Sequence, residues 1–422
     1  MPQRIVARRG FLKNVGVAGA ALAMGPLLTA CEPEGGGGGG AGGDGPIRIG
    51  GMWLLSGALS SYGEFAREGA RMAVEELNDN GGVLGREVEM LFEHEGDAES
   101  VLQVARRLAL EENVDFLMGL DSSGTAQALV PAIPELGKVL MVTHAASSEI
   151  TGELCNRYVF RCSVNVPQNS YLGAKIAAEE YPDLQTWGTI GPDYAFGYET
   201  WEFFSRYLQE RNPEVSLIDP IYPPFPNEDF SSHINQALDA RPDGLFISLW
   251  GADLVNFIRQ AQDFGLFDEI TPMFQLGAAM EVLEGLGDRM PTGYWAGTRY
   301  WWDGVDTETN KAFVDGFRER YDHPPSYNAQ GAYTGVKLLA AAAEEAGSTE
   351  ADPVIDALEG MELDAPQGPT VIRAEDHQAL VEPTWGKLAD SPDEDFMILD
   401  PVVHVPADEA TPPVDETGCD ME

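Results

Sequence analysis

The fold of this chain is decided by the stretch IRIGGMWLLSGALSSYGEFAREGARMAVEELNDNGG, residues 47–82. Its first seven residues form a short apolar run, which predicts a β-strand over 47–53. Phe65, Met72 and Leu77 then recur near helical spacing, which predicts a helix over 64–77 that ends at Asn80-Gly81-Gly82. A strand followed by an amphipathic helix is the unit from which parallel sheets with helical faces are built.

This strand–helix alternation continues in two sets. In the first set, strands follow at 88–92, 115–118 and 139–143, with helices at 98–111 and 125–136. The second set has strands at 186–190, 217–221, 244–249 and 272–276, with helices at 196–209, 230–239 and 253–264. A strand at 294–297, helices at 307–321 and 329–346 and a β-rich stretch come last. These late helices have no sheet of their own, so we expect the chain to cross between two lobes more than once. The prediction is an α/β fold of two doubly wound parallel-sheet lobes with a cleft between them.

The first 31 residues have the pattern of an export signal. Arg8-Arg9 lies in a basic segment, residues 15–28 are apolar, and Leu28-Thr29-Ala30-Cys31 resembles a lipoprotein processing site. The apolar run is short for a membrane-spanning helix. We therefore predict twin-arginine export and lipid attachment at Cys31; an uncleaved membrane anchor is the alternative.

Two low-complexity segments flank the predicted body. Residues 32–45 include six consecutive glycines and predict a flexible tether. Residues 407–422 are rich in proline and acids and predict a disordered tail. The body would then sit at the outer face of the cytoplasmic membrane, in the periplasm or outside the cell.

The composition is strongly acidic. Asp and Glu number 69 against 26 Lys and Arg, for a net charge of −43, and the acids are spread along the body. Such a charge excludes nucleic acid as a partner and is tolerable where salt screens it, so we infer a halophilic source. Cation binding by the acids is the competing interpretation, but no Asp-x-Asp-x-Asp-Gly loop occurs.

The cysteines suggest an oxidising compartment. Cys155 and Cys162 are seven residues apart and could close a small loop as a disulfide, which would leave Cys419 unpaired. No Cys-x-x-Cys pair occurs, so neither thiol redox catalysis nor zinc is supported.

Two polar loops follow predicted strands of the first set. Ligands of open α/β sheets bind at the carboxyl ends of strands, near helix N-termini. Such loops offer hydroxyls and free backbone N–H groups that suit a carboxylate, although Ser122 or Ser123 could instead cap the helix. The candidate ligand residues in these loops are Ser122, Ser123, Gly124, His144, Ala145, Ala146 and Ser147.

Aromatic residues mark the same strand ends and could wall an apolar ligand. Tyr62, Phe196 and Trp250 are the candidates, and Tyr194 and Tyr300-Trp301-Trp302 lie on the expected rim.

Enzyme signatures are missing from the sequence. It has no Gly-x-Ser-x-Gly, His-Glu-x-x-His or phosphate-binding glycine motif. His94-Glu95 with Asp97 is a weak metal pattern, and a hydrolase using Ser122 or Ser123 would lack a histidine placed to activate it. We expect no catalysis, no metal and no cofactor.

Ordered motifs through the body resemble the leucine/isoleucine/valine-binding protein family, the substrate-binding subunits of branched-chain amino acid type ABC transporters. They are Ile47-Arg48-Ile49-Gly50, Leu55-Ser56-Gly57, Tyr62-Gly63, Gly69 to Asn78, Asn80 to Arg86, Ser122-Ser123-Gly124, Tyr158-Val159-Phe160-Arg161, Phe196-Gly197, Asp229-Phe230-Ser231, Pro242-Asp243-Gly244 and Tyr333.

The resemblance implies a type I periplasmic binding fold with a multi-strand hinge, closure on a ligand, no catalysis, and a permease with its ATPase as partners. We place lobe I at 46–165 with 298–363 and lobe II at 166–297 with 364–406, and expect a monomer. The resemblance assigns carboxylate binding to the two polar loops, Ser123 first, and a side-chain wall to Tyr62, Phe196 and Trp250.

The sequence departs from the family pattern at two positions. Gly277-Ala278-Ala279 stands where amino-acid binders carry an acid for the ligand ammonium, and Ala146 replaces a usual threonine. An unpaired ammonium in the cleft is costly. The predicted ligand is a small carboxylate, either an amino acid or an aromatic or short-chain organic acid. The missing acid disfavours a standard amino acid. A sensing receptor of the same fold is the alternative to a transport receptor.

Overall fold

The structure of the protein is a computed structural model that describes residues 45–421. The predicted export signal, Cys31 and nearly all of the tether lie outside the described residues. Strands are β1 Ile47–Trp53, β2 Val88–His94, β3 Phe116–Gly119, β4 Leu140–Val142, β5 Val159–Arg161, β6 Thr186–Ile190, β7 Ser216–Leu217, β8 Gly244–Ile247, β9 Met273–Leu276, β10 Trp295–Thr298, β11 Glu362–Ala365, β12 Gly368–Ile372, β13 Ala379–Leu380, β14 Thr384–Ala389 and β15 Ile398–His404.

Helices alternate with these strands, and none in the described range is long and apolar enough to cross a membrane. They are α1 Ser60–Asp79, α2 Ser100–Arg106, α3 Ser123–Leu129, α4 Ile133–Leu136, α5 Val166–Glu180, α6 Ala195–Arg211, α7 Ser231–Ala240, α8 Gly251–Asp263, α9 Leu266–Glu269, α10 Met280–Leu286, α11 Glu308–Tyr321, α12 Tyr327–Ala346, α13 Ala351–Leu358 and α14 Ala407–Ala410.

The first sheet has the order β2-β1-β3-β4-β5, and all its neighbours are parallel. Strands β1, β3, β4 and β5 are almost entirely buried because helices cover both faces, whereas the edge strand β2 is mostly half-buried. On one face α1 and α12 pack together and share a core with β1 and β3, through residues such as Ala70, Met118 and Val336.

The second sheet has the order β15-β14-β10-β9-β8-β6-β7. Its five strands from β10 to β7 are parallel, whereas β14 pairs antiparallel with β10, and β15 with β14. The prediction of two parallel-sheet lobes is confirmed, with two antiparallel strands added at one edge of the second.

The chain passes between the sheets more than once, as expected from the late helices. It leaves β5 of the first sheet for α5, leaves β10 of the second for α11 and α12, and returns to the second at β14. Strands β11, β12 and β13 form a small antiparallel sheet. In the range 364–406, assigned above to lobe II, Ile372 and Ala379 pack in the core of the first sheet, whereas β14 and β15 belong to the second.

The predicted disulfide between Cys155 and Cys162 and the predicted disorder of the C-terminal tail are both wrong. Cys155 forms its disulfide with Cys419, and Cys162 is a buried free thiol at the end of β5. Residues 407–421 are ordered against α5, because Lys175 pairs with Glu409 at 2.7 Å, the amide of Gln168 donates to Thr411, and Ala410 is buried. This segment, the C-terminal strap, therefore links α5 to the loop that follows β4.

Candidate functional site

A cleft lies where the carboxyl ends of strands from both sheets meet, as the strand-end rule requires. It has two adjoining chambers, with empty volumes of about 380 and 330 Å³ including their openings. Four residues border both chambers: Phe196, Gly277, Arg299 and Tyr327. The charged chamber adds Tyr62, Asp121, Ser123, His144, Tyr194 and Trp250. The amide chamber adds Ala146, Asn165, Val166, Asn169, Leu276, Gly297 and Thr298.

Six of the ten predicted ligand residues are brought together here: Tyr62, Ser123, His144, Ala146, Phe196 and Trp250. The other four, Ser122, Gly124, Ala145 and Ser147, line neither chamber. The alternative role of a serine as a helix cap finds no support, because α3 has no side-chain capping hydrogen bond.

The loop before α3 is held by a residue that the sequence analysis had weighed as a weak metal ligand. Glu95 is fully buried and accepts hydrogen bonds from the backbone N–H groups of Asp121 and Ser122 and from the Thr125 hydroxyl. Burial and the nearby Asp121 carboxylate raise the pKa of Glu95. His94 is also engaged with the backbone, since its Nδ1 accepts from the Leu55 N–H. Glu95 thus fixes the position of Ser123.

Two buried hydrogen-bonding contacts orient His144. Its Nε2 lies 2.8 Å from the backbone oxygen of Asn328, which can only accept, so Nε2 carries a hydrogen. Its Nδ1 lies 2.7 Å from Oδ1 of Asp121. The Asp121 carboxylate also accepts a hydrogen bond from the backbone N–H of Leu54 at 2.7 Å, so its oxygens are already engaged by groups of the protein.

Arg299 is a charged residue that borders both chambers of the cleft. It directly follows β10, its guanidinium donates to the backbone oxygen of His144, and it lies 4.9 Å from the ring centroid of Tyr327. No carboxylate within residues 45–421 forms an ion pair with it. A half-buried guanidinium with free N–H groups is suited to a carboxylate. Arg299 was not among the predicted ligand residues, although its place directly after a predicted strand was a sufficient signal.

Tyrosines and a tryptophan supply the wall around this charge. Burial raises the pKa of Tyr62, Tyr194 and Tyr327, so these side chains are neutral. The indole of Trp250 donates to the hydroxyl of Tyr194 at 3.0 Å, which fixes both rings. The expected rim residues Tyr300, Trp301 and Trp302 instead lie in the hydrophobic core, so that part of the prediction is wrong.

Glu199 joins the two halves beside the cleft. Its carboxylate, on α6, accepts hydrogen bonds from the Ser147 hydroxyl at 2.5 Å and from the Ser148 N–H at 2.6 Å. Burial raises the pKa of Glu199. Ser147 thus contacts the second half of the protein and not the cleft.

The position where the family carries an acid is occupied by backbone and small residues. Gly277 borders both chambers, and Ala278 and Ala279 are fully buried. The next acid along the chain, Glu281, lines neither chamber; it lines an adjoining cavity, which shares Tyr62 with the charged chamber. The one carboxylate that lines the two chambers within the described part of the chain is Asp121, which His144 occupies.

A family model for periplasmic binding proteins matches residues 46–385. The chain belongs to this family. A leucine-, isoleucine-, valine-, threonine- and alanine-binding protein of Pseudomonas aeruginosa is 22% identical over 329 residues, which are 76% of this chain and 84% of that protein. As a periplasmic binding protein, the chain is a solute-binding component of the ABC-transporter type, and the resemblance drawn from its motifs is confirmed.

Solved structures of the periplasmic binding protein family have the same fold. An amino acid ABC transporter substrate-binding protein from Pseudomonas fluorescens Pf-5 is 27% identical, with a TM-score of 0.78 over 89% of this chain and 99% of that one. A solute-binding protein of an ABC transporter from Rhodopseudomonas palustris BisB5, solved with 3,4-dihydroxybenzoic acid, is 22% identical, with a TM-score of 0.76 over 86% and 98%. The type I periplasmic binding fold is therefore confirmed.

Proposed function

We propose that this protein captures a small organic acid between its two lobes and delivers it to an ABC permease. We propose an aromatic carboxylate as the ligand in preference to an amino acid. The observation that carries the proposal is Arg299, a guanidinium in the cleft without a carboxylate partner in the described range. Ser123 and the neutral aromatic wall of Tyr62, Phe196 and Trp250 complete a site for an anionic group attached to an apolar body.

The ligand class follows from the balance of charges. An amino acid carries an ammonium, which would enter a cleft where Asp121 is already engaged by His144 and where Gly277 offers no side chain. An unpaired ammonium in such a site costs several kcal/mol. The structural neighbour from Rhodopseudomonas palustris, which was solved with 3,4-dihydroxybenzoic acid, is consistent with an aromatic acid in this fold.

The cellular setting belongs to the same proposal. We infer export by the twin-arginine signal, lipid attachment at Cys31, a monomeric receptor at the outer face of the membrane, and a salt-rich habitat for a chain of net charge −43. A permease and its ATPase are the partners.

The test is calorimetric titration of the purified protein in molar salt with benzoate, short-chain acids and leucine. We expect benzoate-type acids to bind and leucine to bind weakly. Arg299→Met should weaken carboxylate binding roughly 10- to 150-fold, the worth of a hydrogen bond to a charged group. The matched control is Arg106→Met, because Arg106 is exposed and remote from the chambers. Binding of leucine alone, or unchanged affinity in Arg299→Met, would overturn the proposal.

A further inference from the structure

The amide chamber contains a buried hydrogen-bond acceptor without a partner. Asn169, on α5, is 4% exposed, and its Nδ2 donates to the backbone oxygen of Thr298 at 3.1 Å. A carbonyl oxygen only accepts, so the amide nitrogen must face Thr298, and this fixes which way the side chain is turned. Its Oδ1 then points away from Thr298 and has no hydrogen bond to any residue in the range 45–421.

The position of Asn169 is set by its surroundings. Its backbone oxygen accepts from the buried indole N–H of Trp385 at 2.9 Å, and its backbone N–H donates to Asn165 at 3.1 Å. Buried polar groups in native proteins are nearly always paired, so an orphan on a rigid helix that lines a cavity indicates a missing partner.

Asn165 supplies the complementary group. Its Oδ1 is occupied by the backbone N–H of Gln168 in a capping box at 2.9 Å. Its Nδ2 has no hydrogen bond to a described residue, and Asn165 lines the same chamber as Asn169. The chamber therefore presents one free acceptor and one free donor between the apolar walls of Phe196 and Leu276.

A hydroxyl group both donates and accepts one hydrogen bond, and a phenol places it on a flat apolar body. We propose that the amide chamber is a subsite for a hydroxyl carried by the ligand at the end opposite its carboxylate, with Asn169 Oδ1 as the acceptor. This rests on the proposed function and narrows its ligand class to hydroxylated aromatic acids. Arg299, which borders both chambers, holds the carboxylate at the other end.

The first test uses the wild-type protein and titrates benzoate, 3-hydroxybenzoate, 4-hydroxybenzoate and 4-methoxybenzoate in molar salt. The methoxy compound keeps the oxygen but cannot donate. We expect one hydroxybenzoate to bind at least tenfold more tightly than both benzoate and the methoxy compound, because a site built for a hydroxyl rejects ligands that leave its polar group unpaired. Equal affinities would overturn the subsite while leaving the proposed function intact. Failure of every carboxylate to bind would overturn the proposed function, and the subsite with it.

The second test is Asn169→Leu, with Asn235→Leu on the exposed face of α7 as the matched control. The Asn169 variant should lose the preference for the hydroxyl, so that benzoate and the hydroxybenzoates bind it with equal affinity, because the acceptor is removed. A hydroxyl preference that survives in Asn169→Leu would overturn the assignment. If that variant fails to fold by circular dichroism, the wild-type series decides the question alone.

Discussion

The hydroxyl oxygen of Tyr62 accepts a hydrogen bond from the backbone N–H of Gly251 at 3.0 Å. The bond joins α1, which packs beside the first sheet, to α8 of the second, and the Tyr62 ring lies edge-on to Trp250 at 5.5 Å. The two halves are thus in contact across the charged chamber, as in a closed receptor.

Removing this contact should weaken ligand capture. Tyr62→Phe keeps the ring but loses the hydrogen bond between the halves, worth about 0.5–1.5 kcal/mol, so the dissociation constant should rise roughly 2- to 12-fold. Titration of Tyr62→Phe beside Tyr198→Phe, an exposed tyrosine, measures the effect. Equal affinity in both variants would show that the Tyr62 bond contributes nothing to closure.

The two neighbouring serines should differ. Ser123 lines the charged chamber and its Oγ accepts from the Ser147 N–H at 3.2 Å, whereas Ser122 lines neither chamber. Ser123→Ala should weaken carboxylate binding by about 1–3 kcal/mol, and Ser122→Ala should leave it unchanged. Similar affinities for the two variants would remove Ser123 from the ligand site.

Glu281 should make the stability of the protein depend on pH. Burial raises the pKa of Glu281 from 4.5 to about 8, and the groups that face it are Asn328, which donates at 3.3 Å, and the charged or ionisable Glu284, Asp121, Tyr62 and Tyr327. Below pH 4.5 the group is neutral in both the folded and unfolded chain. Between about 4.5 and 8 the unfolded chain ionises first, so stability is lost as pH rises.

The variant Glu281→Gln stays neutral and should avoid that loss. Its melting temperature should match the wild type near pH 4.5 and exceed it at pH 9, when both are followed by scanning fluorimetry. Glu87→Gln, at an exposed position, should give no pH-dependent difference. A gap between Glu281→Gln and wild type that does not widen with pH would contradict the raised pKa.

The disulfide should contribute to stability over a long loop. Cys155 and Cys419 are 264 residues apart, and loss of such a link costs about 2–5 kcal/mol. Cys419→Ser should therefore lower the free energy of unfolding in urea, and reductant should lower that of the wild type by the same amount. Cys162→Ala serves as the control: it keeps the disulfide, so reductant should lower its free energy of unfolding as it does for the wild type. An unchanged wild-type transition in reductant would disprove the contribution.

Much of the fold was predictable because its strands are apolar runs that end in polar loops. Strands β1 and β6 lie within the predicted bounds, and the strand-end rule located Ser123 and Trp250. At the strand predicted over 294–297 the same rule singled out the aromatic residues Tyr300, Trp301 and Trp302, which lie in the core, and passed over Arg299, which borders the cleft.

Helix α5 and its amides were not predictable from periodicity. Gln168, Asn169 and Ser170 are buried although they are polar, so α5 lacks the apolar stripe by which a surface helix is recognised. Their partners, such as Thr298 and Thr411, lie far along the chain. The pairing of Cys155 with Cys419 was hidden for the same reason, because sequence distance says nothing of contacts made by folding.

Arg299 occupies the segment by which the chain leaves β10 for the helices that cover the first sheet. Motion of one half relative to the other would bend the connecting segments, of which this is one, and would displace the guanidinium from the His144 oxygen. An anion bound by Arg299 would therefore oppose that motion, because its counter-charge lies on a connection between the two halves.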